Sequence, residues 1–175
     1  MVEGLPTLGF AAFSGTGKTS LLKKLIPILK QKNIRIAVIK HAHHDFEIDL
    51  PGKDSYELRH AGADQVLISS ARRFVKITEV TQEMPLQQCL AHVSATESDL
   101  VLVEGYKMAK ISKIELHRPC LGFPLLYPLD KHIIAVASDQ ELNSQDDIPV
   151  LDLNNVEEIS EFIILNLDKL KLSFT

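Results

Sequence analysis

Eight residues near the N-terminus, Ala12-Phe13-Ser14-Gly15-Thr16-Gly17-Lys18-Thr19, restrict this chain to a small set of folds. A glycine-rich turn ending in Lys-Thr cradles phosphate only when a strand enters it and a helix leaves it. Both flanks fit. The apolar run from Leu8 to Phe13 suits a buried strand, and Leu21, Leu22, Leu25, Ile26 and Leu29 fall on one helical face. In such a P-loop the backbone N–H groups bind phosphate oxygens, helped by the positive end of the helix dipole. Ser14, Gly15, Thr16, Gly17, Lys18 and Thr19 are therefore the expected phosphate-binding residues. Lys18 places a point charge on the β- and γ-phosphates, and the Thr19 hydroxyl can take one position on Mg²⁺. Ala12 stands where the strict pattern has glycine, a mild change because alanine fits wherever φ is negative.

With 175 residues the chain has room for one α/β domain with a substantial core. A net charge of -4, with no Lys/Arg block beyond Lys23-Lys24, argues against nucleic acid as the main partner. No basic stretch followed by an apolar core opens the chain, and no apolar run reaches bilayer length, so neither a secretory signal nor a membrane span is expected. Cys89 and Cys120 match no ligand spacing. They read as reduced thiols filling the core of a cytoplasmic protein.

Along the chain, strand patterns alternate with helical ones. Strands are predicted at Ile34–Ile39, Gln65–Ser69, Phe74–Thr78, Leu100–Val103, Lys113–Leu116, His132–Ala137 and Val150–Leu153. Helices are predicted at Asp54–His60, Met84–Val93 and from Asn154, with Glu157 as a capping-box partner. Pro27 interrupts the first helix pattern, and Asp54 could cap the second helix or bind metal. Three prolines make Arg118 to Asp130 a loop. The fold class that follows is α/β: a single P-loop nucleotide-binding domain over residues 1–175, with a mainly parallel sheet and helices on both faces.

In such sheets ligands bind at the carboxyl ends of the strands. Four polar clusters are predicted to meet there: the P-loop, Lys40-His41, Glu104-Gly105 and Ser138-Asp139. Glu104 is placed to reach Mg²⁺ opposite Thr19, directly or through water. Asp139 could accept from the N1 and N2 edge of guanine, which adenine does not offer, or could be a turn residue. His41, His43, His44 and Asp45 could supply a zinc site, although they lie closer in sequence than the ligands of a usual zinc knuckle. A place near the γ-phosphate or at a partner surface is the competing role. Lys53 and Arg59 could meet phosphate or form a solvated face. No residue announces itself as catalytic base. Arg59, Arg72 and Arg73 are possible arginine fingers that no spacing separates.

The run from Lys40 to Asp49, continuing through Pro51-Gly52-Lys53-Asp54-Ser55-Tyr56, resembles the MobB family of molybdopterin-guanine dinucleotide biosynthesis adapter proteins. Ala61-Gly62-Ala63 and Val101-Leu102-Val103-Glu104-Gly105-Tyr106-Lys107 carry the same likeness, which extends over nearly the whole chain. The resemblance implies a GTP-binding, dimeric adapter with weak GTPase activity, working beside the guanylyltransferase that joins GMP to molybdopterin. It also implies kinship with dethiobiotin synthetase, where a Val-Glu-Gly element carries a Mg²⁺ ligand. Two rival readings remain open. One is a small-molecule kinase or ATP-dependent ligase that uses Lys40 or Lys53 for a second substrate. The other is a metallochaperone GTPase holding metal through His41, His43 and His44.

Overall fold

The computed structural model of the chain describes residues 4–42, 46–142 and 148–171. In chain order the elements are β1 (Thr7–Ala11), α1 (Lys18–Gln31), β2 (Ile36–Lys40), α2 (Asp54–His60), β3 (Gln65–Ser69) and β4 (Phe74–Thr78). They continue with α3 (Leu86–Ala91), β5 (Leu100–Glu104), β6 (Lys113–His117), β7 (Ile133–Ser138), β8 (Val150–Asp152) and α4 (Val156–Leu165). The described residues form two compact units, one running to His41 and resuming at Leu86, the other from Ala42 to Pro85.

The first unit is built on a six-stranded sheet in the order β2-β5-β1-β6-β7-β8, parallel throughout. Strands β5, β1 and β7 are largely apolar on both faces, as helix-covered parallel strands usually are. The period of two then sorts their side chains. Leu100 and Leu102 of β5 join Leu8 and Phe10 of β1 in one core, against Leu21, Leu22, Leu25 and Leu29 of α1 and Ile159 and Ile163 of α4. Val101 and Val103 point the other way and pack with Leu86 and Leu90 of α3. Helices on both faces of a parallel sheet are thus observed as the alternating pattern predicts. Each fully buried leucine contributes roughly 1.5–3 kcal/mol relative to an exposed one, so the α1 face alone is a major source of stability.

Several boundaries move. Pro27 lies inside α1, which nevertheless runs as one helix from Lys18 to Gln31. The last helix is capped by Asn155, whose side chain accepts from the Glu158 N–H, one residue later than the predicted Asn154 and Glu157 pair. Asp54 is the first helical residue of α2, and Lys53 holds the cap position without a side-chain bond. The predicted loop from Arg118 contains two short 3₁₀ turns, Pro119–Leu121 and Tyr127–Leu129. Cys120 sits on the first of these and is exposed, so it fills no core, whereas Cys89 is half-buried with its Sγ 3.1 Å from the Tyr106 hydroxyl.

Strand β6 departs most from an apolar pattern. Lys113, Glu115 and His117 alternate along one face and all are buried. Each is accounted for by partners or by its neutral form. Lys113 donates to Asp130 at 2.6 Å and to the Lys107 carbonyl at 3.0 Å. Glu115 accepts from the Leu126 and Tyr127 backbone N–H groups, both at 2.8 Å. Burial pushes its carboxyl above the usual range and the two N–H donors pull it back. Burial likewise holds His117 below the ordinary histidine value, opposed by the charge of Asp139. Glu115 therefore pins the segment between β6 and β7 to the sheet. Replacing it with alanine leaves two backbone donors without their acceptor and should cost about 2–4 kcal/mol. A denaturant midpoint for Glu115→Ala equal to that of the parent would contradict this role.

The second unit packs α2 against the antiparallel hairpin β3–β4, whose strand bounds match the prediction and whose register runs from Gln65 opposite Thr78 to Ser69 opposite Phe74. Ser70 closes the turn by accepting from the Arg73 N–H at 3.0 Å. Arg59 binds Glu79 at 2.9 Å, Asp49 at 2.8 Å and also Glu47. These carboxylates hold the Arg59 guanidinium well above its ordinary pKa, and Asp49 lies below the usual carboxylate range through hydrogen bonds from Arg59 and Ser55 that outweigh its burial.

Candidate functional site

The parallel register gathers the predicted clusters of the first unit on one rim. Phe10 and Lys40 both pair with Glu104, so β1, β2 and β5 end together. His117 pairs with Ser138, which brings the ends of β6 and β7 side by side. The P-loop follows β1 and enters α1 at Gly17, a left-handed residue at the N-cap position with φ 102°. Only glycine adopts that conformation without strain. No side chain caps α1. Its first N–H groups are thus presented to the loop, the arrangement that binds anions at helix N-termini. Ser14, Gly15, Gly17, Lys18, Thr19, Ser20 and Glu104 line a depression of about 310 Å³.

Lys18 folds over this loop and donates to the Ala12 carbonyl at 3.1 Å. Burial lowers its pKa, with the charge of Lys107 adding to the effect and Glu104 opposing it. A partly desolvated ammonium whose protein partners are mainly neutral carbonyls is a site for an anion. Opposite it, the Thr19 hydroxyl donates to Glu104 Oε1 at 3.0 Å. Lys40 Nζ lies 3.8 Å from Glu104 Oε2. Two oxygen donors converging from the P-loop helix and the end of β5 form the hard-ligand pair that suits Mg²⁺. The chain turns sharply after Glu104 because Gly105 has φ 94°, and a Cβ there would lie 2.6 Å from the His41 Cβ. His41 itself donates its backbone N–H to the Glu104 carbonyl at 2.8 Å and stacks, tilted, on Tyr106.

Asp139 sits at the end of β7 with Oδ2 bound by Arg118 at 2.6 Å. Its Oδ1 is buried and accepts no hydrogen bond among the described residues. Arg118 also donates from Nε to the Thr16 carbonyl at 3.0 Å. Beyond it, Phe123 stacks on Phe13 with ring centres 4.4 Å apart and planes 10° from parallel. Sequence reasoning passed over Arg118 and Phe123 because their partners lie far away in the chain. The available signal was position, since Arg118 directly follows a strand whose neighbours end at the P-loop and at Asp139.

His43, His44 and Asp45 of the proposed zinc run lie outside the described residues. Among the described residues no three His, Cys, Asp or Glu side chains come together as a metal centre. A larger cavity of about 710 Å³, walled by Lys107, Lys113, Leu126 and Ile133 among others, has no phosphate cradle in its lining. No helix among the described residues is long and apolar enough to cross a membrane.

Comparison with known proteins decides the family. The model of the family described as molybdopterin guanine dinucleotide synthesis protein B, MobB, matches residues 7–139. The chain belongs to the MobB family. The molybdopterin-guanine dinucleotide biosynthesis adapter protein of Escherichia coli (strain K12) is 48% identical over 163 residues, covering 91% of this chain and 92% of that protein. The protein of the same name from Haemophilus influenzae is 41% identical over 163 residues, covering 93% of this chain and 90% of its own. A crystal structure of MobB, 27% identical in sequence, superposes with a TM-score of 0.72 over 92% of this chain and 99% of that one. The MobB fold is thus shared along almost the full length, and the rim described above is a feature of this chain's own geometry within it.

Proposed function

We propose that this MobB-family chain is a Mg²⁺- and GTP-binding adapter in molybdopterin-guanine dinucleotide biosynthesis, acting beside the guanylyltransferase in the cytoplasm. The observation that carries the nucleotide reading is the meeting of Thr19 and Glu104 next to an uncapped P-loop helix. Ser14 to Thr19 would hold the phosphates, Lys18 would neutralise the terminal ones, and Thr19 with Glu104 would hold the metal. The bound metal supplies charge neutralisation of the phosphates. Asp139 supports guanine as the base, because its Oδ1 has unused acceptor capacity of the kind the N1 and N2 edge of guanine would fill once the atom is uncovered. The family name supports the pathway and a biosynthetic partner. A homodimer belongs to the same reading, supported by the hairpin's exposed Leu67 and Phe74, which share one face of β3–β4.

Calorimetric titration with GTP, with and without Mg²⁺, tests the site. Glu104→Gln should lower affinity for GTP in the presence of Mg²⁺ at least tenfold, about 1.4 kcal/mol, while Mg²⁺-free binding should hold or strengthen, because a negative charge beside the phosphates is removed. Equal stimulation by Mg²⁺ in both proteins would remove Glu104 from the metal site. Multiple-turnover NTP consumption with a small acceptor would favour a kinase or ligase. One zinc or nickel per purified chain would favour a metallochaperone.

A further inference from the structure

Arg118 joins two parts of the rim, the phosphate loop and the end of β7. Its Nε holds the carbonyl of Thr16 in the phosphate loop, and its Nη1 holds the carboxylate of Asp139 at the end of the neighbouring strand but one from β1. The guanidinium is suited to this because its donors are fixed in a planar fork and can serve two acceptors at once. Local structure places it there. Strand β6 lies between β1 and β7, so the residue that leaves its carboxyl end comes up between the P-loop and Asp139. The Phe13–Phe123 stack is a second tie between the same segment and the same loop.

We propose that Arg118 is a positioning residue for base recognition: it fixes Asp139 against the P-loop and so couples the base reader to the phosphate cradle. The inference rests on the reading of Asp139 as the guanine reader. A carboxylate has about four acceptor positions, so the single bond from Arg118 leaves acceptor capacity for both guanine donors, which a base would reach by displacing what covers Oδ1. The bond removes rotamer freedom that Asp139 would otherwise lose on binding nucleotide. The anchor on Thr16 sets the carboxylate at a fixed distance from the phosphates, so a nucleotide held by the P-loop presents its base at one place. Arg118 acts in this scheme through Asp139 and not by touching the base.

The experiment measures affinities for GTP and ATP, both with Mg²⁺, for the parent chain, Asp139→Asn, Arg118→Ala and the double variant. The parent should prefer GTP. Asp139→Asn should erase that preference, and Arg118→Ala should reduce it by roughly fivefold or more. The double variant should show the same GTP:ATP ratio as Asp139→Asn alone. Arg118→Lys, which keeps a cation near Asp139 but cannot fork to Thr16, should recover part of the preference and serves if the alanine variant does not fold. A merely structural role would weaken both nucleotides equally and leave the ratio untouched, and that result would overturn the inference while the role of Asp139 stands. A ratio that falls further in the double variant would mean direct contact of Arg118 with the base, which also overturns it. Full GTP preference in Asp139→Asn would reject the guanine reading itself, and the inference with it.

Discussion

Lys18→Ala is expected to lower affinity for GTP by at least tenfold, or about 1.4 kcal/mol, with the fold intact. The loss follows from what the side chain does. Lys18 is a partly buried cation lying across the phosphate loop, bonded mainly to the carbonyl of Ala12. Carbonyls stabilise an ammonium less than an anion does, and a nucleotide's terminal phosphates supply that anion. The substitution removes the charge without touching the α1 leucines that hold the helix to the sheet. Circular dichroism and the melting transition should therefore match the parent while the calorimetric binding heat disappears at micromolar nucleotide. Unchanged binding would mean that the P-loop is not the nucleotide site.

Hydrolysis should be slow. P-loop proteins that lack a positioned water or an arginine finger fall short of the assisted rate by about 10³ to 10⁵. The described residues lining the phosphate depression include neither glutamine nor arginine. Arg59, a finger candidate from sequence, already binds three carboxylates in its own unit. Arg118 is committed to Thr16 and Asp139. Single-turnover and steady-state assays on the isolated protein should both give a rate well below ~1 s⁻¹. A partner-independent rate above that would point to an enzyme acting on a small acceptor.

The parts of this fold that were legible in the sequence are those set by neighbours in the chain. Helix α2 and strands β3 and β4 have their predicted ends because Gly52, Gly62 and the Ser70–Arg73 turn punctuate them locally. The P-loop was legible for the same reason, since strand, turn and helix are consecutive. Two adjacent asparagines, Asn154 and Asn155, and two adjacent glutamates, Glu157 and Glu158, offer two cap frames one residue apart, and α4 takes the later one rather than the predicted earlier one. The buried polar face of β6 was not legible. Lys113, Glu115 and His117 alternate as a half-exposed strand would, yet all three are buried, and the segment from Arg118 to Asp130 folds back to supply partners for Lys113 and Glu115. Arg118 was missed on the same grounds: Thr16 lies 102 residues away from it, a pairing fixed by strand order alone.

The central claim is a nucleotide-dependent adapter, and partner capture tests it most directly. The immobilised chain, loaded with Mg²⁺ and GTP or stripped of nucleotide, would be presented with purified molybdopterin guanylyltransferase. Retention of the enzyme should be stronger on the GTP-loaded chain, and Lys18→Ala should behave as the stripped chain under both conditions. Equal retention in every case, or none in any, would contradict a GTP-dependent adapter.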